Sequence, residues 1–266
     1  MFGEFATGGI RHSYAAGLEY STEKIIKRDG ISSGGFDRTL LDDLYRPNPH
    51  QAYTGSLAWG PKYDAAKTST RAAYVFDTIK FSEQWETNVG LRYDNYRVSS
   101  GGADRTDDMW NYQLGLVYKP APNGSIYVSY GTSSNPSGET AGQSGGADGA
   151  AGGRLTSATA ALAPEKSRSI ELGTKWDLFD ERLSLTGAVF ETRKTDARSA
   201  DPLTGDITLA GSNRVRGVEL SAAGSITRKW QVWAGYSYMD PTVTNYTSGG
   251  TDFSGKQMKF IARQSA

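Results

Sequence analysis

The sequence predicts an antiparallel all-β fold, and three observations lead there. Period-2 alternation of apolar and polar residues recurs along the whole chain, amphipathic helical periodicity does not, and glycine is abundant at 32 of 266 residues. The stretch "SIELGTKWDLFDERLSLTGAVF" shows the alternation twice, on either side of a polar break. Successive strand side chains point to opposite sides, so Ile170, Leu172, Thr174 and Trp176 share one face and Glu171, Gly173 and Lys175 the other. In a soluble sandwich the apolar face is the core. In a membrane-spanning barrel it meets lipid and the charged face lines the lumen.

Taken in order, the pattern places strands at roughly 12–23, 70–80, 84–97, 109–119, 125–131, 168–176, 183–193, 214–223 and 230–239, with a tenth beginning near Lys256. The connections alternate between short and long. Short ones fall at "FSE", "PAPNG", "DLFDER" and "SITRK"; long ones at about 25–68, 98–108, 132–166, 195–212 and 240–255. In an up-and-down sheet this sorts every long loop to one end, the arrangement of outer-membrane barrels, which Greek-key sandwiches have no reason to adopt. The segment 135–165, nearly all Gly, Ala and Ser in its middle, reads as a flexible external loop, since it lacks the lysine-bearing motif and following helix of a phosphate cradle.

Three strands carry aromatic residues eight positions apart on the apolar face: Trp85 and Tyr93, Trp110 and Tyr118, Trp230 and Tyr238. Eight residues at ~3.3 Å, tilted by ~40°, cover about 20 Å of membrane normal, close to the ~25 Å apolar band between aromatic girdles. The opposite face carries Glu19, Glu86, Asn88, Arg92, Gln113, Glu171, Lys175 and Glu219 with glycines between them. A soluble sandwich could expose the same residues to water; loop sorting and aromatic spacing favour a transmembrane barrel and leave a soluble β-sandwich or barrel as the alternative.

Composition narrows the function. Basic and acidic residues balance at 29 each, which removes the field that nucleic-acid binders need, so no nucleic-acid partner is expected. There is no cysteine, hence no disulfide framework or thiolate metal site. The N-terminus lacks the basic and apolar regions of a secretory signal as written, and no run approaches the ~18 apolar residues of a transmembrane helix. His12 and His50 read as ordinary surface or strand-end histidines. Asp42–Asp43 and Asp107–Asp108 read as solvated loop charge without the calcium-loop pattern. No nucleophile elbow, catalytic triad or carboxylate pair stands out, so no catalytic residue, metal site or enzyme activity is expected.

Several segments resemble the barrel of TonB-dependent siderophore receptors of the catecholate or ferrichrome type. "LAPEKSRSIELGTKWDLFDERLSLTGAVFETRKTDAR" is similar to one hairpin of that family, "GSNRVRGVELSAAGSITRKWQVWAGYSYMD" to the next and "YVFDTIKFSEQWETNVGLRYDNY" to an earlier one, in consistent order over nearly the whole chain. The resemblance implies a 22-strand barrel with an N-terminal plug that imports ferric siderophores with energy from the TonB complex. Residues 1–266 are then one partial barrel domain, an incomplete antiparallel transmembrane β-barrel of about nine to ten strands with the plug and TonB-contacting segment absent. In "GKQMKFIARQSA" Ala262 stands where the family usually has Pro.

The expected location is the Gram-negative outer membrane, with outer-membrane lipid, a ferric siderophore and, for an intact receptor, the TonB complex as partners. Ferric iron comes only as the siderophore chelate, and no cofactor is bound directly. On this reading Tyr45, Arg46, Arg105, Arg154 and Arg198 in the long loops and Arg92 in the lumen are the candidate ligand contacts, because rings pack on a flat chelate and guanidinium groups answer its oxygens. The aromatic girdle positions face lipid. A fragment of this kind, with two sheet edges unpaired, is expected to transport nothing alone. A passive porin-like barrel and a soluble secreted β-domain that binds carbohydrate or protein are the competing readings.

Overall fold

The computed structural model describes residues 1–33, 45–46, 56–138, 155, 159–200, 207–248, 250–259 and 261–266. Its strands are β1 (Phe2–Thr7), β2 (Ile10–Lys27), β3 (Gly30–Ser33), β4 (Ser56–Trp59), β5 (Tyr63–Lys80), β6 (Trp85–Ser100), β7 (Ala103–Ala121), β8 (Gly124–Asn135), β9 (Glu165–Leu178), β10 (Leu183–Ala200), β11 (Ile207–Thr227), β12 (Trp230–Asn245), β13 (Thr247–Ser248), β14 (Thr251–Asp252) and β15 (Gln264–Ser265). Eleven of them form one antiparallel sheet in the order β1-β2-β5-β6-β7-β8-β9-β10-β11-β12-β15, while β3–β4 and β13–β14 are small ladders carried by the connections. β1 and β15 lie at opposite ends of that order and are not paired with each other, so the ring is open.

The apolar face is not an interior. The one cluster of buried apolar residues consists, among the described residues, of Ala66, Val98 and Leu155. Leu18, Leu114, Ile170, Leu172 and Leu220 are each at least half exposed and share the outward face of the sheet. A soluble sandwich of this size would bury such residues between two layers; here they cover one continuous outer surface, as lipid contact requires.

The strands outrun the alternation that revealed them. β6 at 16 residues is about 53 Å long, far more than a tilted crossing of the apolar band needs. The long loop expected at 98–108 is therefore mostly strand: β6 and β7 stay paired up to Ser100 and Ala103 and turn at Gly101–Gly102. Those glycines have φ of 59° and 80°, the left-handed pair that a two-residue hairpin turn demands. Likewise β10 and β11 remain paired to Ala200 and Ile207, within the loop expected at 195–212. Beyond the bilayer both faces meet water, so the polarity contrast fades while the hydrogen-bonded ladder continues.

Two expectations at the ends need correction. β1, an edge strand paired with β2, lies in a segment whose mixed composition gave no strand signal. The tenth strand expected from Lys256 is a broken edge instead: Val243 N–H donates to the Lys256 carbonyl at 2.8 Å, and among the described residues regular pairing with β12 is confined to Gln264 and Ser265.

On the inner face, glycines sit opposite large rings. Tyr74 lies over Gly17, Phe76 over Gly90, Tyr127 over Gly173 and Phe190 over Gly217, each pair directly opposite in the ladder. A methyl group on any of these glycines would meet the ring at less than contact distance. Gly173→Val is accordingly expected to lower the stability of the folded barrel by about 1–3 kcal/mol, the usual cost of overpacking, read as a lower temperature for loss of heat-modifiable gel migration.

Candidate ligand-binding wall and its loop anchor

Even-numbered residues of β6 and odd-numbered residues of β2 and β7 face the lumen. At mid-height Arg92 joins two carboxylates: its Nη2 lies 3.0 Å from Glu19 Oε2 and 2.7 Å from Asp94 Oδ1. The guanidinium also stands 5.7 Å from the centre of the Tyr74 ring. Further round the wall Tyr127 O–H donates to Glu171 Oε1 at 2.6 Å, and Thr78 donates to Asn88 Oδ1 at 2.8 Å. Near the short turns Lys119 pairs with Glu86 at 3.0 Å and Lys80 with Glu83 at 2.9 Å. The lining is thus charged and largely self-paired.

At the long-loop end the inner face becomes apolar, and the connection from β8 to β9 folds over it. Leu155 packs on Val98 and Ala66, with Ile25, Tyr96, Ala103 and Ala160 around them. Three groups pin the described parts of this connection. Arg105 is held by Asp107 at 2.7 Å through Nε and donates through Nη1 to the Ala160 carbonyl. Ser137 donates to the Leu162 carbonyl at 2.9 Å, and Arg198 Nη2 reaches Ser137 Oγ at 3.0 Å and the Asn135 carbonyl at 3.3 Å. Glu165 collects Lys194 Nζ at 2.8 Å, the Arg198 backbone N–H at 2.8 Å and the Asn135 amide at 3.2 Å. Burial alone raises its carboxyl pKa, but these three donors outweigh it and hold the group below the usual carboxylate range.

The sequence candidates are therefore distributed rather than gathered. Arg92 faces the lumen; Arg105 and Arg198 are part-buried in the loop anchor; Tyr45 and Arg46 are exposed. Arg154, His50 and Asp42–Asp43 lie outside the described residues. The pair Asp107–Asp108 is strand rather than solvated loop: Asp107, 4% exposed, turns inward to Arg105, while Asp108 turns outward to Tyr93 and Asn95. Glu165, Lys194 and Ser137 were not singled out from the sequence. Only the Pro-Glu step of "LAPEKSR" hinted at Glu165, because its partners come from β8 and β10 and converge only once register is known.

Outside, the girdle residues pair across strands. Trp85 stands opposite Tyr118 with ring centres 4.6 Å apart, and Tyr93 opposite Trp110 at 4.8 Å. Trp230 and Tyr238 occupy the same face of β12, 60% and 40% exposed. His12 is more than a strand-end histidine: Nδ1 lies 2.7 Å from Asp77 Oδ2 and the Phe5 ring stacks on it at 4.4 Å, on the outward face near the short turns.

A sheet with an apolar outer surface, aromatic rings at two heights and a charged inner wall defines a transmembrane β-barrel wall of the outer-membrane type. The chain matches the family described as "TonB dependent receptor-like, beta-barrel" over residues 3–266, and it belongs to that family. It is 38% identical over 265 residues to the probable TonB-dependent receptor BfrD of Bordetella pertussis, covering 90% of this chain and 34% of that protein. The probable TonB-dependent siderophore receptor PiuA of Acinetobacter baumannii is 34% identical, covering 100% of this chain and 39% of that protein. The crystal structure of that organism's siderophore receptor PiuA superposes with a TM-score of 0.80 at 28% identity, over 99% of this chain and 41% of that one. The closed form of the ferric-catecholate import receptor Fiu from Escherichia coli gives 0.69 at 28% identity, over 92% and 37%. The chain thus spans between a third and two fifths of the length of the curated relatives it matches.

Proposed function

We propose that residues 1–266 form part of the barrel wall of a Gram-negative outer-membrane receptor that takes up ferric siderophores, catecholates above all, with the TonB complex as its energy source. The observation that carries this reading is the match along the entire chain to a receptor named for siderophores, supported by a polar lumen wall and an anchored loop at the long-loop end. A soluble secreted β-domain has no use for so much exposed apolar surface, and a passive porin does not account for the family match. In this reading the iron is cargo, chelated by the siderophore and never ligated by the protein. Tyr45, Arg46 and Arg154 meet the chelate from the loops and Arg92 meets it in the lumen, while Arg105 and Arg198 act through the loop they hold.

The test uses the full-length gene product in detergent and a ferric tris-catecholate as probe. Saturable quenching of Trp and Tyr fluorescence is expected, with Arg46→Ala weakening binding roughly tenfold, ~1.4 kcal/mol, and the iron-free catecholate binding poorly. No saturable binding of the ferric chelate, together with unimpaired growth of a deletion strain on it as sole iron source, would overturn the reading.

A further inference from the structure

Above the outer aromatic girdle, the outward face turns from apolar to cationic across three neighbouring strands. Lys166 and Arg168 of β9, Arg193 of β10 and Arg214 and Arg216 of β11 have the same parity as Leu172, Val189 and Val218, so all five point away from the lumen. Among the described residues two carboxylates oppose them there. Glu191 lies between Arg193 and Arg216, 2.5 Å from each, and Asp240 stands opposite Arg216 in the ladder. Lys166 and Arg168 are exposed and form no ion pair among the described residues.

The wall opens beside this charge. Regular β7–β8 pairing stops at Gln113 and Gly131, where the Thr132 hydroxyl takes the place of a backbone acceptor and receives the Tyr112 N–H at 3.0 Å. The parting strands leave a cleft of about 380 Å³ lined by Trp110, Tyr112, Tyr130, Lys166, Arg168 and Arg193. Tyr112 and Tyr130 stack across it with ring centres 5.9 Å apart. Next to it, two to four residues nearer the membrane centre along β9 and β10, a shallow apolar groove runs along Ile170, Leu172, Val189 and Val218. A cationic cleft at headgroup height, aromatic rings at the interface and an apolar groove beneath match the three parts of one amphiphile.

We propose that this face binds a phosphate-bearing lipid headgroup of the outer leaflet, with phosphate at Lys166, Arg168 and Arg193 and acyl chains along Ile170, Leu172 and Val189. The site lies on the opposite side of the wall from the lumen, so it is separate from any siderophore contact. It rests on the membrane placement of the barrel. Charge complementarity selects the occupant: a zwitterionic headgroup gains little from a face on which two exposed cations, Lys166 and Arg168, have no carboxylate partner among the described residues, and a soluble protein would not reach the groove below the interface.

Native mass spectrometry of the full-length gene product tests this, with a bisphosphorylated glucosamine lipid, its dephosphorylated counterpart and inorganic phosphate as probes. At roughly fivefold per cation, Lys166→Gln/Arg168→Gln is expected to weaken retention of the bisphosphorylated lipid about 25-fold. Retention of the dephosphorylated lipid should be unchanged by the substitutions, and Arg168→Lys should keep most of the binding. Equal retention of the bisphosphorylated lipid by wild type and double variant overturns the proposal. So does displacement of the lipid by inorganic phosphate at comparable concentration, which marks a free-anion site. Heat-modifiable migration of each variant checks folding; its absence in the wild type overturns the membrane placement itself and the lipid site with it.

Discussion

Leu172→Arg in the full-length gene product is expected to abolish barrel insertion, read as loss of heat-modifiable migration and of protein in the outer-membrane fraction. Leu172 stands between Val128 and Val189 in the ladder, on the outward face and 53% exposed, where hydrocarbon is its only solvent. An arginine near the bilayer midplane of a barrel costs about 2–4 kcal/mol, enough to shift a folding equilibrium by one to three orders of magnitude. Lys175→Gln, three positions away on the other face, provides the comparison. Its ammonium lies 3.5 Å from Asp177 in an exposed pair, worth about 1 kcal/mol at most, so insertion should be unaffected. If Leu172→Arg inserts normally and Lys175→Gln fails, the assignment of the two faces is reversed.

The second large effect belongs to Glu165. Removing it by Glu165→Ala leaves the part-buried Arg198 and the neighbouring Lys194 without their shared carboxylate, and breaking a buried pair costs about 3–5 kcal/mol. The low end applies, since the Lys194 side chain is 39% exposed. The barrel should survive, because β9 and β10 remain paired through the membrane, while the anchored loop loosens. Hydrogen exchange in peptides spanning 135–138 and 159–164 is expected to speed up, with the β6–β7 hairpin through the membrane unchanged; unaltered protection at both places would show that Leu155 and the Arg105 contact suffice. Acid should reproduce the effect. The native carboxyl pKa is depressed, so its stabilisation is complete above the unfolded value of about 4.5 and lost as pH falls through the native value. In Glu165→Gln that acid-dependent part should vanish.

Most of the membrane-crossing wall was legible because lipid on one side and water on the other impose a two-residue period that few other environments sustain. Trp85, Tyr93, Trp110 and Tyr118 fell at girdle spacing for that reason. Where both faces are wet the period carries no information, which is why residues 98–108 and 195–212 read as loops and are ladder. The loop anchor was hidden for a different cause. Glu165, Arg198 and Ser137 come from the start of β9, the end of β10 and the β8–β9 connection, and no local pattern encodes such a meeting. The apolar patch of Ile25, Ala66 and Val98 likewise fell inside stretches read as loops, 25–68 and 98–108, so nothing marked it as a surface to be covered. The cationic outward cluster was present in the letters of "EKSRSI" and "RVRG" but gained meaning only from register.

The ring-over-glycine pairs resolve an ambiguity that alternation leaves untouched. A one-residue slip between neighbouring strands exchanges inside and outside and is rejected at once by the membrane. A two-residue slip keeps every side chain on its proper face, so hydrophobic patterning cannot detect it. Here such a slip would set Tyr127 against Glu171 or Lys175, Phe76 against Asn88 or Arg92, and Phe190 against Val215 or Glu219, none of which leaves room for a ring. The glycines thus act as alignment marks, fixing the stagger of each strand on the next and, through the summed stagger, the tilt and girth of the barrel to which this wall belongs.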